Sequence, residues 1–468
     1  MKTRYYQYIV LALAGGMIVA SCNVSKKYKR PDVQADNMYR DSSGKDTATI
    51  ANLPWKSLFA DTVLQGLIQE GINKNLDLQT AVLKIAESQA TLRSAKMAYF
   101  PTLDASLQAT KAKSSQAALN FPAGIGINLN TTTYQAALSA SWEVNIWGQL
   151  SSLKRQAVAN FLQSEANKRA VQTQLIADIA NYYYTLLAYD QQLAITEQTV
   201  KNRIEDVETM KALKEGAVVN GAAVVQSEAN RYAAEVSIPD IKQSIRETEN
   251  ALSILLARTP GPIKRAALAE QQTIPDLNVG ISSQLLRNRP DVQASEFAFR
   301  SAFENTNVAH SYFYPTLTIT AQGGLSSLQL KNLFDNSIFY NLVGGLTQPI
   351  FNRGQNKARY RIAQAQQIEA YNTFQQTILT AGSEVSNALF SYQNAVSKQQ
   401  TRQMELKALE KSVEYTKELL RYNSLTNYTD VLLSEQSLLT AQLNGVGDKL
   451  QQLQATVNLY RALGGGWR

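Results

Sequence analysis

Few residues in this chain have types and spacings suited to chemistry, and the most telling is its single cysteine. Cys22 follows Val19-Ala20-Ser21, and ahead of these lie Lys2, Arg4 and an apolar run from Ile9 to Ala20. A charged start, a short apolar core and a small-residue cleavage point make a secretory leader. The run is too short for a bilayer, which needs about 20 apolar residues. A thiol at the cleavage point is placed for acylation, so Cys22 is expected to carry lipid, palmitate included, and to become the mature N-terminus. The single histidine, His310, precedes Tyr312-Phe313-Tyr314 and reads as an interfacial or packing residue rather than a ligand or general base. One Cys and one His exclude a disulfide framework and any multi-Cys or multi-His zinc site. The sequence has no Gly-rich phosphate loop, nucleophile elbow or partnered carboxylate pair. No catalytic residue, metal site or cofactor is therefore expected, and an enzyme is not.

The elements that must position the rest follow from composition and period. With 468 residues, 44% hydrophobic and 18% charged, the chain can bury a large core. The net charge of +8 is mild for this length, and the basic residues are scattered rather than clustered with aromatics. Nucleic-acid binding has little support. Beyond the leader no apolar run is long enough for a membrane helix, so a membrane crossing would have to be a closed β-barrel.

The chain repeats itself. Asn75-Leu76-Asp77-Leu78-Gln79 leading to Phe100-Pro101-Thr102-Leu103 is answered by Arg289-Pro290-Asp291-Val292-Gln293 leading to Tyr314-Pro315-Thr316-Leu317. Ile146-Trp147-Gly148-Gln149 is answered by Ile350-Phe351-Asn352-Arg353-Gly354-Gln355, and Ser227-Glu228 by Ser434-Glu435. Residues 1–21 read as the leader and 22–61 as a lipidated extension. A first repeat spans 62–275 with a β-hairpin at 101–145, and a second spans 276–468 with a hairpin at 315–351. From Gln149 to Glu215 there is neither Gly nor Pro, which predicts one helix roughly 100 Å long. Its counterpart runs from Gln355 to about Tyr422, with Gly382 as its weak point. Shorter helices are expected near 62–99, 222–257, 283–313 and 428–462, stacked end to end beside the long ones as an antiparallel wall of coiled-coil character.

In the first hairpin Tyr134, Ala136, Leu138, Ala140, Trp142 and Val144 alternate with Gln135, Ala137, Ser139, Ser141 and Glu143. Leu317, Ile319 and Ala321 alternate with Thr316, Thr318, Thr320 and Gln322 in the second. Alternation of this kind fits a barrel with lipid outside and water inside, and equally a soluble amphipathic sheet. Trp142 and Trp147 flank a strand end and suit an aromatic girdle at a membrane interface. Two hairpins give four strands, too few to close a barrel, and an open edge in lipid leaves backbone groups unpaired. Three chains sharing one barrel would supply twelve strands.

Four stretches together resemble the TolC family of outer-membrane factors, in particular the NodT-like lipoprotein branch that serves resistance-nodulation-division pumps. They are Trp55-x-x-x-Phe59-x-Asp61, Leu286-x-x-Arg289-Pro290-Asp291-Val292, Ser141-Trp142-Glu143-Val144-Asn145-Ile146-Trp147-Gly148, and the terminal Leu459-Tyr460-Arg461-Ala462-Leu463-Gly464-Gly465-Gly466-Trp467. The resemblance covers nearly the whole mature chain. It implies a mixed fold, a long-helix α-barrel plus a transmembrane β-barrel shared by a homotrimer. It also implies partners: a periplasmic membrane-fusion adaptor, an inner-membrane transporter of the resistance-nodulation-division class, and outer-membrane lipid.

The closable periplasmic tip is expected at the two turns that follow the long helices. The first offers Gly216, Val219 and Asn220, with glycines suited to positive φ; the second offers Tyr422, Ser424, Asn427 and Asp430. The second turn departs from the family, with Ser424 or Leu425 near a usual glycine and Ser434 near a usual aspartate. Asp430 is the nearest acid, and a solvated helical turn is the plain alternative for these residues. The expected function is passive conduction of small toxic compounds from an inner-membrane pump to the exterior, as the outer-membrane exit duct of a tripartite efflux system. The alternative is the outer-membrane component of a type I protein secretion system.

Overall fold

The computed structural model describes residues 24–32, 38, 49–115, 128–272, 284–422 and 428–468. Its main elements are α1 (Thr62–Lys74), α2 (Leu76–Met97), β1 (Thr102–Lys113), β2 (Asn130–Val144), α3 (Gln149–Glu215), α4 (Gly221–Glu235) and α5 (Ser237–Leu255), followed by α6 (Pro290–Ser311), β3 (Thr316–Ser327), β4 (Ile338–Thr347), α7 (Gln355–Tyr422) and α8 (Tyr428–Ala462).

Helix α3 has 67 residues and α7 has 68, in the positions the Gly- and Pro-free runs predict. Gly382 does not interrupt α7. A Cβ there would lie 2.7 Å from the Met38 side chain, so the glycine admits a close neighbour rather than ending the helix. The expected helix at 62–99 is two helices. Asn75 breaks it, accepting the Leu78 N–H at 2.9 Å to cap α2 and donating to the Leu255 carbonyl at 2.9 Å. The expected helix at 222–257 is likewise divided at Val236, just before Pro239, whose ring suits only a first helical turn. Both long helices start after a glycine with positive φ, Gly148 at 81° and Gly354 at 75°.

The described residues fall into two compact units. One takes its residues from Met1–Pro31, Ala86–Gln163 and Glu296–Thr373, and it contains a single antiparallel sheet in the order β1-β2-β3-β4. The register puts like with like. Ala105 faces Leu138, which faces Gly323, which faces Tyr340. Leu103, Ala140, Ala321 and Leu342 form the next such row. The intervening row is Asp104, Ser139, Gln322 and Asn341. Directly paired residues share a face, so one face of the sheet is apolar and the other largely polar. Strand β4 is the exception, since Phe339 and Val343 fall on the polar side opposite Gly324 and Thr320.

The other unit comprises Asp32–Ile85, Ser164–Ser295 and Phe374–Arg468. Its core holds Leu64, Ile68, Ile179, Tyr183, Leu252 and Phe374, none more than 1% exposed. Tyr183 shows why the aromatic triplet of α3 sits where it does. Its hydroxyl donates to Asp61 at 2.5 Å and accepts the Ala266 N–H at 3.1 Å. The other oxygen of Asp61 caps α1 through the Val63 and Leu64 N–H groups. Burial and the adjacent carboxylate push the Tyr183 hydroxyl well above its ordinary range, so it stays a neutral donor. The C-terminal glycines are also explained. Gly464 has φ of 88°, and a Cβ on it would collide with the Asn288 backbone. Trp467 then donates its indole N–H to the Asn288 carbonyl at 3.1 Å.

Candidate functional site

The first tip turn is built by the end of α3. Gly216 N–H bonds to Ala212 O, Ala217 N–H to Lys214 O, and Val218 N–H to Leu213 O. That pattern is a Schellman close, in which the residue after the cap is left-handed. The left-handed residue is Ala217, with φ of 57°, and Gly216 is not among the positive-φ residues. The expectation that glycines supply the positive φ here is thus corrected: the hydrogen bonds put the left-handed position one residue after Gly216. Val219 is half-buried, and exposed Asn220 caps α4 by accepting the Ala223 N–H at 3.2 Å.

Of the second turn, Ser424 and Asn427 lie outside the described residues. Tyr422 is 87% exposed and Asp430 is exposed. The two helix ends are joined by residues that the sequence reading did not single out. Tyr428, 5% exposed, packs with Met210, Val224 and Val431 and donates its hydroxyl to Ser227 at 2.9 Å. Burial raises its hydroxyl to about 12, with the Ser227 bond opposing and nearby Asp206 and Glu435 adding to the rise. One turn of helix away, Arg203 donates to the Asn230 carbonyl at 2.5 Å and to Gln436 at 2.8 Å. Lys417 sits 2.5 Å from Glu435 and 3.6 Å from Asp206. The repeat of Ser227-Glu228 by Ser434-Glu435 was the one sequence signal pointing at this cluster.

In the unit that holds the sheet, the apolar face is open. Leu107 and Tyr340 are each 88% exposed, and Leu138 is 54% exposed on a central strand. At the end of the sheet the two tryptophans are anchored by their indole N–H groups. Trp142 donates to the Tyr99 carbonyl at 3.0 Å and Trp147 to the Pro315 carbonyl at 2.6 Å, with the Trp147 ring 5.2 Å from Tyr314. His310 lies among aromatic rings, 5.3 Å from Tyr360 and 5.6 Å from Tyr314. This is the packing role read for it.

Cys22 lies outside the described residues, but the chain just after it is docked along α6. The Asn307 side chain accepts from Lys26 N–H and donates to Lys26 O, at 3.1 and 3.0 Å. The Tyr28 ring meets Phe299 and Phe303, and Arg30 pairs with Glu296 at 2.6 Å. Among the described residues there is no group of three His, Cys, Asp or Glu able to hold a metal ion, and no helix long and apolar enough to cross a membrane.

Long helices joined to a four-stranded sheet with one open apolar face make this fold that of the outer-membrane channels. It superimposes on the MtrE outer membrane channel of Neisseria gonorrhoeae with a TM-score of 0.84 at 25% identity, covering 96% of this chain and 99% of that one. The family model described as "Outer membrane efflux protein" matches residues 67–258 and 281–465, and the chain belongs to that family. It is 28% identical to the probable efflux pump outer membrane protein TtgC of Pseudomonas putida, over 96% of this chain and 94% of the relative. It is 27% identical to the probable outer membrane lipoprotein SilC of Salmonella typhimurium, over 98% of each.

Proposed function

We propose that this protein is the outer-membrane exit duct of a tripartite efflux system. Three copies close one twelve-stranded barrel, and their helices continue it as a tunnel toward a periplasmic adaptor and an inner-membrane pump of the resistance-nodulation-division class. The observation that carries this reading is the sheet register. It gathers apolar rows from all four strands on one exposed face, with Phe339 and Val343 of β4 alone among the large apolar residues on the other, and leaves β1 and β4 as open edges. Such edges are tolerable in lipid only when other strands pair with them. Relatives named as efflux pump components favour efflux over type I protein export.

The test is single-channel recording of the purified protein in planar bilayers, alongside heat-sensitive trimer migration on gels. Stable conductance from a trimer is expected, and a protein that inserts without conducting would sink the proposal. The gate is assigned to the two turns, Gly216, Val219 and Asn220 with Tyr422, Ser424, Asn427 and Asp430. Tyr422 and Asp430 are exposed within one protomer and so available to a neighbouring one. A closed state held by a few hydrogen bonds of about 1 kcal/mol each is marginal, and the Tyr422→Phe, Asp430→Asn double variant should conduct more than wild type. Equal conductance would move the gate elsewhere.

Cys22 is the proposed lipid anchor. Each acyl chain contributes about 0.8 kcal/mol per buried methylene, and the docked segment from Lys26 to Arg30 ties that anchor to α6. Intact-mass measurement should show residues 1–21 removed and lipid mass on Cys22. An unmodified thiol would remove the anchor and leave the channel standing.

A further inference from the structure

We propose that Asp206, Lys417 and Glu435 form a latch that acid tightens, holding the tip-proximal turns of α3, α7 and α8 together and loosening them as the pH rises. Its effect on conduction rests on the exit-duct reading above.

The three groups come from three helices, and the two carboxylates compete for one ammonium. Lys417 is committed to Glu435 at 2.5 Å and stands farther, at 3.6 Å, from Asp206 Oδ1. Asp206 Oδ2 is buried with no hydrogen-bond partner. The side chains of Asp206 and Glu435 are only 17% and 14% exposed. Arg203 attracts the Asp206 charge, but no nearby cation gives Asp206 Oδ2 a hydrogen bond. Arg203, also on α3, spends its guanidinium on the Asn230 carbonyl and Gln436. From α4 the facing groups are that carbonyl and Ser227, while Glu228 and Arg231 pair with Lys211 and Glu235. From α8, Tyr428 remains neutral across the range concerned. A buried carboxylate oxygen without a donor is costly. A proton on Asp206 removes the charge and turns a lone acceptor into a donor beside Glu435. A cavity of about 310 Å³ lined by Arg203, Lys417 and Glu435 is large enough to hold water beside the Lys417–Glu435 pair.

The direction follows by linkage. Burial first, then repulsion by Glu435, push the Asp206 carboxyl from 3.8 up to about 6, against the pull of Lys417. A carboxyl raised in the packed state binds its proton more tightly there. The packing is therefore favoured in acid, and that favour is lost as the pH rises from 3.8 to about 6, with no further change above.

The experiment records trimers in planar bilayers from pH 4.5 to 8 and measures hydrogen exchange in the turns around Asp206 and Glu435, corrected for intrinsic rates. In wild type, open probability should fall and protection should rise as the pH drops through about 6. Asp206→Asn should show neither step and stay in the tight, low-conductance state. Glu435→Gln, by removing the like charge, should move the midpoint down by about one unit. A purely structural role would not move the midpoint. A conducting wild type with no step, or a step that survives in Asp206→Asn, overturns the latch. A wild type that never conducts overturns the duct reading instead, and the exchange arm still decides the latch: equal protection changes in wild type and Asp206→Asn would overturn it.

Discussion

Arginine in place of Leu138 is expected to abolish assembly of the protein in the outer membrane, whereas arginine in place of its neighbour Ser139 is expected to be tolerated. The two residues are adjacent on β2 but lie on opposite faces. Leu138 shares its row with Ala105, Gly323 and Tyr340; Ser139 shares its row with Asp104, Gln322 and Asn341. On a lipid-facing surface an Arg costs about 2 to 4 kcal/mol near the midplane, and a shared barrel would incur that three times. Ala140→Arg, one pleat along the same face, should behave like Leu138→Arg. Heat-sensitive trimer migration and the amount of protein in the outer-membrane fraction measure the outcome. Wild-type assembly of Leu138→Arg would argue against a lipid face, and failure of Ser139→Arg alone would invert the assignment.

The sequence was most legible where one physical rule acted alone. Absence of Gly and Pro over Gln149–Glu215 leaves nothing to end a helix, and α3 has those bounds. Alternation was plain on β2 and β3, but β1 carries its apolar face partly on Ala105 and Ala109, too weak a signal to stand out. In β4 the row Ile338, Tyr340, Leu342 is obscured by Val343-Gly344-Gly345. The breaks at Asn75 and Val236 were not foreseen. Asn75 ends one helix because its side chain caps the next and also reaches Leu255, a contact remote in sequence.

The site was less legible, for the same reason. Turn residues are read from local chemistry, and that reading located the first turn but assigned its left-handed residue to glycine when Ala217 holds it. For a residue with a Cβ that conformation costs about 1 to 2 kcal/mol; the hydrogen bonds of Ala217 and Val218 to Lys214 and Leu213 compensate. Asp206 and Lys417 were invisible because nothing local marks them, and Glu435 was marked only by its place in the repeat. Each looks like an ordinary charge on a solvated helix face until the helices are laid side by side. Sequence repeats reveal which elements correspond, not which of their charges meet.

The motif residue Arg289 shows what such a meeting is worth, and its replacement is the largest stability effect expected here. Its guanidinium forks onto Asp291 at 3.0 and 2.6 Å, and the remaining nitrogen reaches Glu384 at 2.8 Å and the Ala462 carbonyl at 3.0 Å. Only 6% of the side chain is exposed. One residue therefore ties the start of α6 to α7 and to the end of α8. Arg289→Ala would take the guanidinium from Asp291 and the Ala462 carbonyl and leave Glu384 with Arg461 at 3.5 Å. Removing one partner of a buried pair costs about 3 to 5 kcal/mol, and the partial exposure of Asp291 and Glu384 places this case near the lower end. Arg289→Lys should recover only part of the loss, because an ammonium cannot fork. The pH dependence separates charge from packing. Burial alone would raise the Asp291 carboxyl, but Arg289 outweighs it and holds the group below its ordinary 3.8. A lowered carboxyl contributes stability that is complete above that value and lost as the pH falls below it. Denaturant midpoints of the detergent-solubilised protein should accordingly fall below pH 3.8 in wild type. The fall should be smaller in Arg289→Ala, and an equally steep fall in both would mean that the Arg289–Asp291 pair is not what acid breaks.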